Sequence, residues 1–312
     1  MRIGTIDIRP ISRHAGAEIL GIDLAQPLDE PVCRDIRRTL GERGVVFFRD
    51  QNLTPDQLLA VGRRFGDIHV SKLIRKVPGH PQVAEVRKEP EQTRNTGGNW
   101  HTDHAYAAVP PLGSLLIARE LPEVGGDTLF ANMCAAYDGL SAGLKKTLAG
   151  LRAVHAKAHA LDNANLSSER QVAAAHVAAI EREDLEEQAI HPATPRHPET
   201  GRRILFVNPT YTVRFDGWTA AESAPLLGTL YRHASDPEYA CRFSWRVGSV
   251  AFWDNRTSWH YALNDYHGSR RLMHRVSVMG TAFAGEGDDG GSFRVASSPR
   301  NRHDRDRIRC EP

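Results

Sequence analysis

Cysteine is scarce in this chain. The four among 312 residues, Cys33, Cys134, Cys241 and Cys310, stand far apart with no CxxC spacing. That pattern excludes a disulfide frame and a cysteine zinc site, and fits reduced thiols in a cytoplasmic protein. Long apolar runs are missing as well. Stretches such as Gly44–Phe48 and Leu115–Ala118 fall far short of the ~20 residues a membrane span needs, and Met1–Pro10 lacks the apolar stretch of a secretion signal. No charge excess is present either. Forty Lys+Arg against 38 Asp+Glu leave +2, so nucleic acid and an acidic membrane are not expected partners. No internal repeat is visible. The composition, 40% hydrophobic and 25% charged, is that of an ordinary globular protein with enough apolar material for a sizeable core. Fifteen histidines make metal or proton chemistry worth seeking.

The pattern along the chain alternates short strands and helices. Strand-like segments are Ile3–Pro10, Ala17–Ile22, Val45–Phe48, Gln82–Val86, Leu112–Ala118, Thr128–Asn132, Arg203–Val207 and Arg271–Met279. Helical spacing covers Pro31–Glu42 with Gly44 as its stop, a segment from Thr54 (N-cap) and Pro55 to about Gly66, Ala135–Leu151, and Ala220–His233. Cys241–Arg246 and Ser249–Trp253 flank Val247–Gly248 as in a hairpin. Lys88–Asn99 is polar and loop-like. Residues 159–188 are charged and alanine-rich, and read as a mobile, partly helical insertion or lid; residues 285–312 read as a disordered tail. One domain over 1–284 results, α+β in class, with a β-sandwich or barrel core wrapped by helices.

The sharpest chemical signal is His101-Thr102-Asp103. On a strand, residues i and i+2 share a face, so an imidazole and a carboxylate converge on one point. A further histidine downstream would complete the two-His-one-carboxylate set that holds non-haem Fe(II) and leaves positions open; His260 fits. Taken alone, His-x-Asp arises often by chance and reads equally as a surface turn.

Its surroundings add specificity. Trp253–Arg275 reads WDNRTSWHYALNDYHGSRRLMHR, Trp100–Asp103 reads WHTD, and Gly125–Asn132 reads GGDTLFAN. With ISRHAGAEILGIDLAQPL from Ile11, these segments resemble the taurine dioxygenase (TauD/TfdA) family of Fe(II)- and 2-oxoglutarate-dependent dioxygenases, over most of the chain to about Met279. The resemblance implies a double-stranded β-helix (jelly-roll, cupin-like) core with flanking helices. It implies Fe(II) on His101, Asp103 and His260, 2-oxoglutarate anchored by Thr128 and Arg271, and O2 as second cosubstrate. An arginine fork and a hydroxyl suit the far carboxylate of 2-oxoglutarate, and strand alternation turns only one of Arg270 and Arg271 inward. Arg275 falls on the same face as Arg271. It matches the family's arginine for an anionic substrate group; a salt bridge to an internal Asp or Glu is the plainer alternative. Tyr106 and Tyr211 match the pocket wall, where they serve equally as core.

Two departures from the taurine pattern bear on substrate. Ser71 stands where the taurine enzyme has a substrate-binding His, and Gly97 where it has an Asn. Both changes enlarge the pocket and remove donors. They favour a small organic anion bulkier than taurine: an aryloxyalkanoate, an alkyl sulfate or sulfonate, or an amino-acid derivative. The intact Asp103 argues against a halogenase. A zinc-dependent hydrolase, or a non-catalytic metal- or small-molecule-binding jelly roll, is the rival from another class; neither needs the Thr128/Arg271 pair. Relatives often form homo-oligomers, and a dimer or tetramer is the expectation here.

Overall fold

A computed structural model describes residues 1–70, 74–163 and 186–283. The tail at 285–312, most of the segment 159–188, and Ser71 lie outside the described residues. In chain order the strands are β1 (Arg2–Ile3), β2 (Ile6–Pro10), β3 (Ala17–Leu20), β4 (Val45–Phe48), β5 (Ile68–His69), β6 (Lys76–Val77), β7 (His80–Lys88), β8 (Gly113–Glu120), β9 (Thr128–Asn132), β10 (Arg152–Ala156), β11 (Gln188–Pro192), β12 (Thr212–Phe215), β13 (Ala240–Phe243), β14 (Val250–Asp254), β15 (Ser258–Ala262) and β16 (Arg271–Val278). The helices are α1 (Glu30–Arg43), α2 (Pro55–Arg63), α3 (Met133–Gly139), α4 (Ala142–Leu148), α5 (Lys157–Asn163) and α6 (Ala220–Ala234).

A large sheet runs β1-β2-β3-β4-β14-β8-β16-β7-β6, with β5 paired to β16. A small sheet has the order β13-β9-β15, and a third runs β11-β10-β12. The central strands of the large sheet are apolar on both faces, as a sheet covered on both sides requires. Val46, Phe48, Leu115, Ile117, Phe252 and Val276 pack with Ile36, Leu40 and Leu58 of α1 and α2. The opposite face, through Val45, Phe47, Leu116, Trp253 and Met273, meets Phe130, Cys241 and Phe243 of the small sheet. The chain is therefore mixed α/β and mostly sheet, and the site lies between the two sheets.

Local signals placed the helix ends well. Asp29 caps α1 by accepting from Val32 N, and Gly44 ends it at φ 76°. Thr54 and Gln57 form a capping box on α2, as do Thr219 and Glu222 on α6.

Four expectations are corrected. Ala135–Leu151 is two helices, because Ser141 caps α4 through Leu144 N and breaks the run. Arg203–Val207 is not a strand, although Ile204, Leu205, Phe206 and Val207 are buried; only Arg203 makes an isolated bridge, to Arg196. The arms flanking Val247–Gly248 do not pair with each other. β13 joins β9 and β14 joins β4 and β8, so the turn carries the chain from one sheet to the other. His101-Thr102-Asp103 is not a strand either, as the site geometry makes plain.

Candidate metal and anion site

His101 and His260 face each other across an isolated antiparallel bridge. His101 N donates to His260 O at 3.1 Å, and His260 N to His101 O at 2.8 Å. Thr102 donates its hydroxyl to Ser258 O at 2.6 Å. The chain then turns at Asp103, helped by His104 at φ 53°. Convergence thus comes from a bridge followed by a turn, not from a two-residue strand repeat. The result is the one expected: ligand atoms of His101, Asp103 and His260 lie within 4.8 Å of one another, all three residues buried. The carboxylate Oδ1 of Asp103 is 3.7 Å from His101 Nε2 and 3.9 Å from His260 Nε2. Asn99 O lies 2.8 Å from His101 Nδ1. A carbonyl can only accept, so Nδ1 carries the proton and Nε2 keeps its lone pair for a metal.

The electrostatics suit a cation. Burial alone would raise the pKa of the Asp103 carboxyl. The Arg275 guanidinium, the largest opposing influence, outweighs it and holds the group well below the usual carboxylate range. Burial pushes His260 well below the ordinary imidazole value, with His101 adding to the effect, so its ring is neutral and basic towards a metal. The donor set, two imidazole nitrogens and one carboxylate with room beside them, fits a non-haem metal ion.

On β16, alternation sorts the arginines as expected. Arg271, Met273 and Arg275 share the inward face, while Arg270 lies outside, 41% exposed and paired to Glu89 at 3.4 Å and Glu120 at 3.2 Å. Arg271 is only 5% exposed, and its Nε and Nη2 have no hydrogen-bond partner. Burial pulls its pKa below the ordinary arginine value. A buried guanidinium with unmet donors is the signature of a site for an anion. Thr128 lines the same cavity. Its Oγ1 accepts from Trp245 Nε1 at 3.0 Å, and the Trp245 ring lies 5.7 Å from the Arg271 guanidinium carbon. The hydroxyl hydrogen of Thr128 is thereby left to donate elsewhere. These groups fit the far carboxylate of a 2-oxo diacid. The Gly125–Gly126 turn that brings Thr128 in has φ 87° and 74°, and Gly126 N donates to Asp265 Oδ1 at 2.7 Å. A Cβ on Gly126 would sit 3.4 Å from Arg271 Cδ.

Arg275 makes the ion pair named as the plainer alternative, and its partner is the candidate ligand itself: Nη1 is 3.4 Å from Asp103 Oδ2. Its Nε is buried without a partner. Tyr106 and Tyr211 form an edge-on pair, centroids 5.0 Å apart, on the wall of a cavity of about 670 Å³ that all these groups share. Gly97 lines it too, at φ 84°; a Cβ there would lie 3.2 Å from His101 Cε1.

Sequence reasoning missed Trp245, Asn95 and the buried network behind the ligands. Asn95 donates to Ala262 O at 2.9 Å, holding the 93–99 loop to the exit of β15. Asp254 accepts from Arg256 Nη2 at 2.7 Å and pairs with His197 at 3.0 Å, fixing the turn into β15 and so His260.

The profile of the family described as "Taurine catabolism dioxygenase TauD, TfdA family" matches residues 7–277. An alpha-ketoglutarate-dependent sulfate ester dioxygenase of Pseudomonas putida is 31% identical over 283 residues, covering 88% of this chain and 90% of its own length. An alpha-ketoglutarate-dependent 2,4-dichlorophenoxyacetate dioxygenase of Cupriavidus pinatubonensis is 29% identical over 289 residues, covering 88% and 97%. A crystal structure of a taurine dioxygenase from Burkholderia xenovorans is similar with a TM-score of 0.74 and 34% identity, covering 91% of this chain and 92% of that one.

Proposed function

The chain belongs to the TauD/TfdA family and is a 2-oxoglutarate-dependent dioxygenase, and from that premise we propose that it hydroxylates an organic anion bulkier than taurine. Its fold is read as a double-stranded β-helix formed by the large and small sheets, with the metal between them. Fe(II) is the metal, held by His101, Asp103 and His260. When bound together, Fe(II) and 2-oxoglutarate supply the activation of O2, with succinate and CO2 as products. The protein contributes position and exclusion. Arg271 and Thr128 hold the far carboxylate of 2-oxoglutarate and set its register relative to the ligands. Arg275 takes the anionic group of the organic substrate through its unpartnered Nε, and Tyr106 and Tyr211 flank the apolar body. No side chain is required as general acid or base.

The observation that carries this reading is the inward row of β16, where two arginines with buried, unmet donor atoms stand in one cavity with the His-Asp-His cluster. The relatives that act on sulfate esters and on an aryloxyacetate support an anion joined to a sizeable apolar body. Gly97 supports the same size, since it adds no side chain to the wall. A zinc hydrolase would leave Arg271 without a role.

The test is a panel of alkyl sulfates, sulfonates, aryloxyalkanoates and amino-acid derivatives followed by succinate release. Arg275→Gln is expected to raise the KM of the best organic substrate far more than that of 2-oxoglutarate. Taurine as the best substrate, an uncharged best substrate, or an unchanged organic KM in Arg275→Gln would overturn the assignment.

A further inference from the structure

Asp103 presents its two carboxylate oxygens to different neighbours. Oδ1 faces the imidazole nitrogens of His101 and His260. Oδ2 is turned the other way, towards the large sheet. There the Ser114 hydroxyl donates to it at 3.4 Å, and Arg275 Nη1 lies at the same distance. Ser114 is fully buried on the inward face of β8, directly opposite Ser277 of β16 in the strand register. Their hydroxyl oxygens are 3.1 Å apart. A serine pair in the middle of an apolar sheet needs a reason. Leu115 and Leu116 follow Ser114 in the same strand, and Val276 and Val278 flank Ser277; apolar residues would pack at both positions at no polar cost.

We infer that Ser114, set in place by Ser277, is a positioning residue for the metal-binding carboxylate. It occupies a lone pair of Asp103 Oδ2, so that Oδ1 alone is offered to the metal. The consequence is chemical. A carboxylate free to turn can bind a cation through both oxygens, which would consume a position that 2-oxoglutarate or O2 needs. Arg275 holds the same oxygen but has a second task on the substrate side. When its guanidinium is drawn to an organic anion, Ser114 is the contact that keeps the carboxylate from turning. Ser114 touches neither substrate nor metal, and it acts through Asp103.

This inference rests on the metal site proposed above, and its test separates the two. Co(II) and Fe(II) are titrated anaerobically into the metal-free protein, with the Co(II) visible absorption spectrum recorded at saturation and the thermal midpoint of the metal-free form measured alongside. Loss of a partner behind a metal ligand typically weakens metal binding about 10- to 100-fold. Ser114→Ala is expected to raise the Co(II) Kd by that amount and to change the Co(II) spectrum, and Ser114→Thr, which keeps a hydroxyl, to restore both. The double variant Ser114→Ala with Ser277→Ala removes both hydroxyls, so no buried donor is left without a partner. It should hold the wild-type thermal midpoint and still show the weakened Kd and altered spectrum. Wild-type Kd and spectrum in both alanine variants would overturn the inference while leaving the site intact. Wild-type Kd in His101→Ala would instead overturn the metal site itself.

Discussion

Replacing Arg271 by leucine separates a binding role from a structural one, because the two roles predict opposite changes in the ligand-free protein. The side chain is 5% exposed, two of its guanidinium nitrogens lack partners, and no other charge neutralises it in an ion pair among the described residues. In the free enzyme it is therefore a liability. A desolvated cation without a partner destabilises the fold, and leucine removes that penalty at a similar length. The thermal midpoint of ligand-free Arg271→Leu should equal or exceed that of the wild type. With 2-oxoglutarate the order reverses. A charge-assisted contact to a carboxylate contributes about 1.5–3 kcal/mol. At about 1.4 kcal/mol per tenfold, its loss raises the 2-oxoglutarate KM roughly 10- to 150-fold.

The assay is succinate formation against 2-oxoglutarate concentration, paired with thermal midpoints in the presence and absence of 2-oxoglutarate under anaerobic Mn(II). Arg270→Leu is the matched control. Its side chain is 41% exposed on Glu89 and Glu120, and exposed pairs of this kind contribute about 0–1 kcal/mol. It should leave the KM near that of the wild type. Equal effects at the two positions would refute the sorting of the arginines by strand face. A marked fall in the midpoint of ligand-free Arg271→Leu would refute the claim that its unmet donors await a ligand.

Two further expectations follow from the same geometry. His101→Ala, Asp103→Ala and His260→Ala should each weaken Fe(II) binding and nearly abolish turnover while circular dichroism stays native-like, because the cores of the two sheets do not include the metal; near wild-type turnover in any one removes that residue from the ligand set. Stability should also fall on mild acidification. Burial pulls the His191 pKa from the ordinary value near 6.5 to about 4 and pushes the neighbouring His155 in the same direction, so both stay neutral in the fold while the unfolded chain takes up protons. Stability is then full above about pH 6.5 and declines towards pH 4, by about 1.4 kcal/mol per pH unit from His191, with His155 acting in the same direction. Equal denaturant midpoints at about pH 7.5 and pH 5.5 would refute the neutral, buried assignment.

What the sequence made legible follows the range of the signals involved. Caps are local, so Thr54, Gly44 and the inward Arg271 could be read from neighbours a few residues away. His101 and Asp103 were found by a spacing argument that named the wrong local structure. A bridge to His260 and the turn at His104 bring them together, yet any geometry that converges the two side chains leaves the same trace in the sequence. Arg203–Val207 reads as a strand because apolar runs report burial, and burial does not require a pairing partner. His197 carries no local signal, because its partner, Asp254, is 57 residues away. Trp245 was missed for a related reason. As one arm of a hairpin it has no task. Once β13 and β14 are seen to enter different sheets, it stands between Thr128 and Arg271.

The site divides its work between sheet and loop, and that division explains why the reaction reads more clearly than the substrate. Arg271, Arg275, Ser114 and Thr128 project from strands whose apolar neighbours are locked in the core between the two sheets. His260 lies on β15 and carries His101 with it through the bridge. The geometry that binds metal and 2-oxo diacid tolerates little movement, and strands held in a packed core supply that rigidity. Gly97, Tyr106 and Tyr211 instead sit on connecting segments, outside the strands and helices. Such segments accept substitution without disturbing a core. Arg271 and Thr128, proposed to hold 2-oxoglutarate, are thus tied to the periodicity of the strands, which a sequence displays. Arg275, proposed for the substrate's anionic group, shares that periodicity, whereas Gly97, Tyr106 and Tyr211, proposed to flank its apolar body, are held by loop contacts such as the Tyr106–Tyr211 pair on the cavity wall. Changing substrate preference while keeping the oxidation should therefore run through residues 93–99, 106 and 211, with β16 left as it is.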